Sequence, residues 1–202
     1  MLTIAIQAGG YSRRMGADKA LLPFNGKPMI QRVIERVSPI ADEILITTNK
    51  PIAYEFLKMT LCTDLIPNRG ALGGLLTALS AANHSFVAVI ACDMPFINPE
   101  IISAELNLIV NSGADIVIPR TSDGLEPFHA IYRRATCLPH VTSAIEKDEW
   151  RVDSWFSKVN LQILTPEEIV KHDPSMYSFI NVNTPDELEA AEQLAREIDE
   201  TQ

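Results

Sequence analysis

Short apolar runs and amphipathic stretches alternate along the chain. Thr3–Gln7 is apolar and β-branched, a strand pattern. After Pro28, the residues Met29, Ile30, Val33, Ile34 and Val37 recur at three- and four-residue spacing. That is one face of a helix, and proline suits its first turn. Glu43–Thr48 predicts a second strand, Pro51–Met59 a short helix and Leu61–Thr63 a short third strand. Leu72, Leu75, Leu76 and Leu79 form another helical stripe. Phe86–Ala91 (FVAVIA) is apolar throughout, as in a strand covered on both faces. Helix Pro99–Val110 and strand Asp115–Pro119 follow, then strand Pro127–Tyr132, helix Leu138–Lys147 and strands Leu161–Thr165 and Phe179–Val182. Thr184 caps a last helix from Pro185, with Asp186 and Glu187 favouring the positive end of its dipole.

Strands alternating with helices of about ten to fifteen residues predict βαβ units. The fold class is therefore α/β, a mostly parallel central sheet with helices on both faces. No repeat, low-complexity segment or Pro/Gly-rich linker divides the 202 residues, which suit a single domain. Ligands of such sheets bind beyond the carboxyl ends of the strands. That rule selects Ala8–Lys19, Thr48–Lys50, Asp64–Gly74 and Cys92–Pro95.

Composition narrows the setting. No apolar run reaches the roughly 20 residues of a membrane-spanning helix, and Met1 leads straight into a strand pattern without a signal-peptide core. Cys62, Cys92 and Cys137 are far apart and odd in number, which argues against a disulfide framework and predicts a reducing cytoplasm. Net charge is −9, against broad nucleic-acid binding. The charge is uneven. Residues 1–36 carry six Lys/Arg (Arg13, Arg14, Lys19, Lys27, Arg32, Arg36) against Asp18 and Glu35, a local +4 on a remainder of −13. Such a patch fits a small anionic ligand, or a solvated basic face.

Four motifs carry candidate chemistry. In QAGGYSRRMGADK (residues 7–19), Gly9 and Gly10 let the backbone approach a ligand, and Arg13, Arg14 and Lys19 can neutralise phosphate. The spacing is neither G-x-x-x-x-G-K-[ST] nor G-x-G-x-x-G. In CDMP, Asp93 ends a buried strand, placed either to hold Mg²⁺ or to start a turn. In NRGALGGL, Gly70, Gly73 and Gly74 open a helix, allowing close approach of a ligand or of a neighbouring backbone. In NVNTP, Asn181 and Asn183 alternate on a strand end and share a face, able to read a polar heterocycle or to cap the last helix. His129 in PFHAIY reads as a satisfied strand histidine, and His84, His140 and His172 lack metal-ligand spacing.

Together these motifs resemble the molybdenum cofactor guanylyltransferases. QAGGYSRRMGADKALLPFNGKP is similar to that family's L-A-G-G-x-S-x-R-M-G-x-D-K signature, and GALGGLLTAL, ACDMPFI and FINVNTPDEL match later blocks in order. The resemblance implies a single Rossmann-like nucleotidyltransferase domain, with residues 1–119 as its nucleotide-binding part and 120–202 as its acceptor-binding part. It implies transfer of GMP from GTP to the terminal phosphate of molybdopterin, with Mg²⁺ and release of pyrophosphate. Transient contact with proteins that deliver or accept the cofactor is a further expectation. Carried over by position, Gln7, Ala8, Gly9, Gly10, Lys19, Asn49, Asp64, Gly74 and Asp93 meet the nucleotide, with Asn49 or else Thr47 near the base. Asp93 also holds the metal, and Arg14, Lys19 and Asp93 are catalytic. Arg14, Arg151, Asn181 and Asn183 meet the acceptor. The sequence departs at Gln7, where the family usually has Leu, and at Ala71, where Pro is usual. The alternatives are a molybdopterin cytidylyltransferase, a sugar-phosphate nucleotidyltransferase, or a nucleotide-binding module without turnover. The opening Ala8-Gly9-Gly10 favours guanine over the A-A-G of the cytidylyl enzymes.

Overall fold

Buried side chains alternate along the first strand: Ile4 and Ile6 pack to one side of the sheet and Ala5 to the other. The computed structural model describes residues 1–8, 11–12 and 17–200. Eight strands form the central sheet: β1 Leu2–Gln7, β2 Glu43–Thr47, β3 Thr60–Cys62, β4 Phe86–Ala91, β5 Ile116–Thr121, β6 Gly124–Leu125, β7 His129–Arg133 and β8 Leu161–Leu164. Their order is β6-β5-β7-β4-β1-β2-β3, with β8 also pairing β5. The helices are α1 Met29–Val37, α2 Gly70–Ala81, α3 Pro99–Ser112, α4 Arg134–Glu146, α5 Pro166–Ile169 and α6 Pro185–Glu200.

Two apolar layers sandwich the sheet. Ile30, Val33, Ile34 and Val37 of α1 join Ile101, Ile102 and Ile109 of α3 on one face. Leu72, Leu75, Leu76 and Leu79 of α2 join Val141, Ala144 and Ile145 of α4, with Trp155, on the other. Helices thus cover both faces, as the alternation predicts. A third cluster docks Ala191 and Ala195 of α6 against Phe24, Met29, Phe96 and Val182. Asn98 caps α3 by accepting from the Glu100 N–H at 2.9 Å, and Gly113 ends that helix at φ +70°.

Register decides what the sheet can present. β1 runs parallel to β2 and β4, and β2 parallel to β3. Gln7 lies opposite both Thr47 and Ala91, and Thr47 opposite Cys62. Four parallel strands therefore end level. Their bonding continues one residue further: the Ala8 N–H donates to Thr47 O (2.8 Å), Thr48 N–H to Cys62 O (2.8 Å) and Cys92 N–H to Gln7 O (3.2 Å).

Several elements differ from expectation. β7 is antiparallel to both β4 and β5, because the link from β5 holds only the short β6 and no crossover helix. Pro51–Leu57 is a 3-10 rather than an α-helix, closed at Lys58 with φ +53°. α4 begins at Arg134, four residues early, and carries Pro139 inside it. Phe179–Val182 is not a strand: Tyr177–Phe179 is a 3-10 turn, and the chain then crosses the end of the sheet. Val182 donates its N–H to Asp93 O at 3.0 Å and buries its side chain beneath α6.

Candidate active site

The level strand ends place Asp93 just beyond β4 and Lys19 just beyond the ribbon in which Tyr11–Ser12 pairs Ala17–Asp18. Lys19 Nζ lies 3.0 Å from Asp93 Oδ2 and also donates to Asn183 Oδ1. The Lys19 and Asp93 side chains are only 18% and 16% exposed, so water screens this ion pair less than a surface pair. The third partner arrives through helix capping. Glu187 Oε2 accepts from the Asn183 N–H (2.6 Å) and the Thr184 N–H (3.1 Å), while the Glu187 N–H donates to Thr184 Oγ1 (3.3 Å). This is a reciprocal capping box at the start of α6. With Val182 bonded to Asp93 O, it holds Asn183 over the end of β4.

A second group gathers along β1, β2 and the start of α2. Asn49 Nδ2 donates to Asp64 Oδ2 at 2.7 Å, and the Asp64 N–H to Asn49 Oδ1 at 3.3 Å. The Gln7 carboxamide lies flat on Gly74: a Cβ there would come within 2.8 Å of Gln7 Oε1. Gly73 is bare for a different neighbour, since its Cβ would come within 2.8 Å of Arg69 Cβ. The nearest neighbours of both glycines are side chains, where a ligand or a neighbouring backbone was the expectation; the Ile66 carbonyl oxygen comes next at Gly73.

The remaining expected residues divide. Gly9, Gly10, Arg13 and Arg14 lie outside the described residues. Arg151 is 81% exposed and grips Asp153 at 2.9 and 2.7 Å, which pushes the guanidinium further up and the Asp153 carboxyl down. No described contact joins Arg151 to the Lys19 cluster. Asn181 Nδ2 bonds within its own loop, to Phe179 O at 3.2 Å, so the two asparagines do not share a strand face. The basic patch is partly structural. Arg32 Nε and Arg36 Nε donate to Pro95 O (3.1 Å) and Ile97 O (2.6 Å), and Lys27 pairs with Glu35 at 2.8 Å.

Two supporting residues and one core partner lie outside the sequence candidates. Tyr54 is buried and donates to Asp18 Oδ1 at 2.8 Å, bracing the turn before Lys19. Burial, then the Asp18 bond, pushes the Tyr54 phenol well up, so it stays a donor. Glu187 adds more than dipole charge: the T-x-x-E spacing from Thr184 to Glu187 is the sequence signal of the capping box it closes. Glu105 is the partner of His129: Nδ1 lies 3.2 Å from Oε1, with both side chains buried. His129 is thus a core histidine, as expected. Burial, with Asp93 alongside, pushes the Cys92 thiol far up, which leaves it protonated rather than nucleophilic. All three thiols are free, and Cys62 is only half-buried.

The donor set also bears on a metal. Asp93 already faces a cation, the Lys19 ammonium, so its carboxylate is placed for positive charge. Among the described residues no three His, Cys, Asp or Glu side chains gather to hold a metal ion. A single carboxylate suits Mg²⁺, which usually takes one or two carboxylates with phosphate oxygens and water, and does not suit zinc.

The chain matches the MobA-like NTP transferase domain over residues 4–159. It is 33% identical to the molybdenum cofactor guanylyltransferase of Desulfosudis oleivorans over 192 residues, covering 95% of this chain and 94% of that one. It is 36% identical to a probable molybdenum cofactor guanylyltransferase of Flavobacterium johnsoniae over 188 residues, covering 93% and 94%. The molybdopterin-guanine dinucleotide biosynthesis protein A of Archaeoglobus fulgidus superposes with a TM-score of 0.85 at 28% identity, over 96% of this chain and 99% of that one. A CMP:2-keto-3-deoxy-manno-octonic acid synthetase, at 16% identity and a TM-score of 0.73, shares the fold alone. With its nucleotidyltransferase sheet and its motifs in matching order, the chain belongs to the MobA-like NTP transferase family, among the molybdenum cofactor guanylyltransferases.

Proposed function

We propose that this protein transfers the GMP unit of GTP to the terminal phosphate of molybdopterin and releases pyrophosphate. The observation that carries the reading is the Lys19–Asp93–Asn183 cluster: one cation, one carboxylate and one amide from three distant segments at the level strand ends. A phosphate oxygen of the acceptor bonds to the α-phosphorus of GTP, and the bond from that phosphorus to the bridging oxygen breaks in line. A phosphate monoester is largely ionised near neutral pH, so the step needs no strong base. That agrees with a buried His129 and a protonated Cys92.

Catalysis is then positioning and charge neutralisation. Lys19 stabilises charge on the transferring phosphorus and on the leaving pyrophosphate, and Arg14 assists. Asp93 is the group that would hold Mg²⁺, which supplies further neutralisation of phosphate charge when bound. Gln7, Ala8, Gly9, Gly10, Asn49, Asp64 and Gly74 bind the nucleotide. Arg14, Arg151, Asn181 and Asn183 bind the acceptor. Residues 1–119 thus form the nucleotide part and 120–202 the acceptor part, meeting where Lys19 and Asn183 touch. The reading is of a cytoplasmic enzyme in brief contact with proteins that deliver or take the cofactor; no described helix is long and apolar enough to cross a membrane. The test is turnover with GTP, CTP, ATP and UTP, each with and without Mg²⁺. GTP with Mg²⁺ is expected to support pyrophosphate release when molybdopterin is present. A preference for CTP would overturn the guanylyl assignment.

A further inference from the structure

One side-chain assembly at the same edge of the sheet has no place in the chemistry above. Arg69 precedes α2, and its side chain folds over the bare Cα of Gly73. Only 14% exposed, that side chain reaches the end of α4, where Nη2 donates to Ile145 O and Nη1 pairs with Asp148. The same guanidinium lies 5.1 Å from the ring centroid of Trp150. Asp148, at φ +60°, turns the chain out of α4, and the Glu149 N–H returns to Ala144 O at 3.0 Å. A nearly buried cation and a tight turn thus fix an indole that stays 58% exposed.

The position of that indole is informative. α2 begins at Gly70, beyond the end of β3, and runs back across the sheet. Gly74 lies under the Gln7 carboxamide at the end of β1, and Arg69 stands about 7 Å further out along the helix, at 1.5 Å per residue. Between them Arg69 covers Gly73, while Gly70 has open space where a side chain would stand. Trp150, held on Arg69, therefore edges an open helix start beside the proposed nucleotide site, and the next residue is Arg151. We infer that Trp150 is a binding residue, supplying a stacking face for a planar fused 2-amino-4-oxopyrimidine. Guanine and the pterin of the acceptor both have that chemistry. The inference rests on the proposed guanylyl transfer to a pterin and adds to it an aromatic contact that no motif supplied.

The test uses the full chain. Trp150 and the buried Trp155 are its only tryptophans, so quenching of exposed indole emission reports on Trp150. Wild-type protein and Trp150→Phe are titrated with GTP·Mg²⁺ and, separately, with 6-hydroxymethylpterin, while calorimetry follows GTP binding. One ligand should quench the wild type and leave Trp150→Phe unchanged. Quenching by GTP assigns the stack to guanine, and quenching by the pterin assigns it to the acceptor. In turnover, Trp150→Ala should raise the KM of that substrate about tenfold with kcat nearly unchanged, and Trp150→Phe should restore most of it, as expected of aromatic stacking on a base. Calorimetric GTP binding with no quenching by either ligand would overturn the inference and leave guanylyl transfer standing. Absence of nucleotide binding altogether would overturn both.

Discussion

Residues reach the ligand edge of this molecule by two routes. On β1, β2 and β4, strand register puts Gln7, Thr47 and Ala91 level; Ala8, Thr48 and Cys92 come one residue on, and Asn49 and Asp93 follow directly. Between residues 147 and 184 no strand carries the proposed contact residues. Trp150 is held by Arg69, and Asn183 by the Glu187 capping box and the Val182–Asp93 bond. Register is shared by whole strands, since a one-residue slip would turn every apolar side chain of β1 from one core layer to the other, setting Ile4 and Ile6 where Ala5 now packs. An anchored loop depends on single side chains. The strand ends should therefore lose chemistry without losing fold, whereas the loops should lose position when one anchor goes.

The largest expected effect is at the strand ends. Asp93→Ala should lower kcat about 100- to 1,000-fold, the scale of removing a preorganised electrostatic group. The fold should persist, because the Asp93 carbonyl still receives the Val182 N–H. Steady-state kinetics beside thermal unfolding checks this. Near-normal turnover by a folded variant would remove Asp93 from the site. Next comes the residue where the two regions meet. Asn183→Ala should cost at least about tenfold in kcat/KM, since a hydrogen bond to a charged group is worth roughly 1.5–3 kcal/mol. The loss should fall on the acceptor KM, with GTP binding unchanged by calorimetry; an equal loss of GTP affinity would place Asn183 with the nucleotide.

The same division explains what could be read from sequence. β1, β2 and β4 are apolar runs, α1 and α2 have clean helical stripes, and ligands favour carboxyl strand ends, so Lys19, Asp93 and the Asn49–Asp64 region were legible. β7 was legible as a strand, and the missing helix between Pro119 and Pro127 already signalled its antiparallel return. Phe179–Val182 misled because Phe179, Ile180 and Val182 are apolar for packing beneath α3 and α6, not for strand pairing. Arg69 and Trp150 are 81 residues apart, and nothing local to either predicts their contact. The Glu105–His129 pair was half legible: the histidine sat in a strand pattern, but its partner came from a helix 24 residues away.

That buried pair offers a stability test away from both regions. Burial pushes the Glu105 carboxyl up from 4.5, although His129 draws it back in part. The folded state therefore favours protonated Glu105. The resulting stability is present below pH 4.5 and is lost as pH rises through the folded-state value. Glu105→Gln keeps an acceptor for His129 and removes the titration. In urea unfolding at pH 5, 6, 7 and 8, the variant should gain on wild type as pH rises, by at most about 1.4 kcal/mol per pH unit while the group titrates. A gap that stays constant with pH would mean Glu105 does not titrate over this range. Activity at fixed pH should hardly change, since the pair bonds no described residue of the Lys19 cluster.

The smallest expected effect tests whether an anchor can be weakened without moving what it holds. Thr184→Ala removes the hydroxyl that receives the Glu187 N–H, half of the capping box. The other half survives, because Glu187 Oε2 still accepts from the backbone N–H groups of residues 183 and 184. Loss of one cap costs about 1 kcal/mol, which in a domain of this size lowers Tm by roughly 2–4 °C. Asn183 should stay over Asp93, since the Val182–Asp93 bond and Val182 burial are untouched, and kcat/KM should stay within about twofold of wild type, well short of the tenfold expected for Asn183→Ala. A kinetic loss as large as that of Asn183→Ala would show that the capping box, rather than the Val182 contact, sets the position of Asn183. The acceptor loop would then depend on the start of α6 and not on the strand end it crosses.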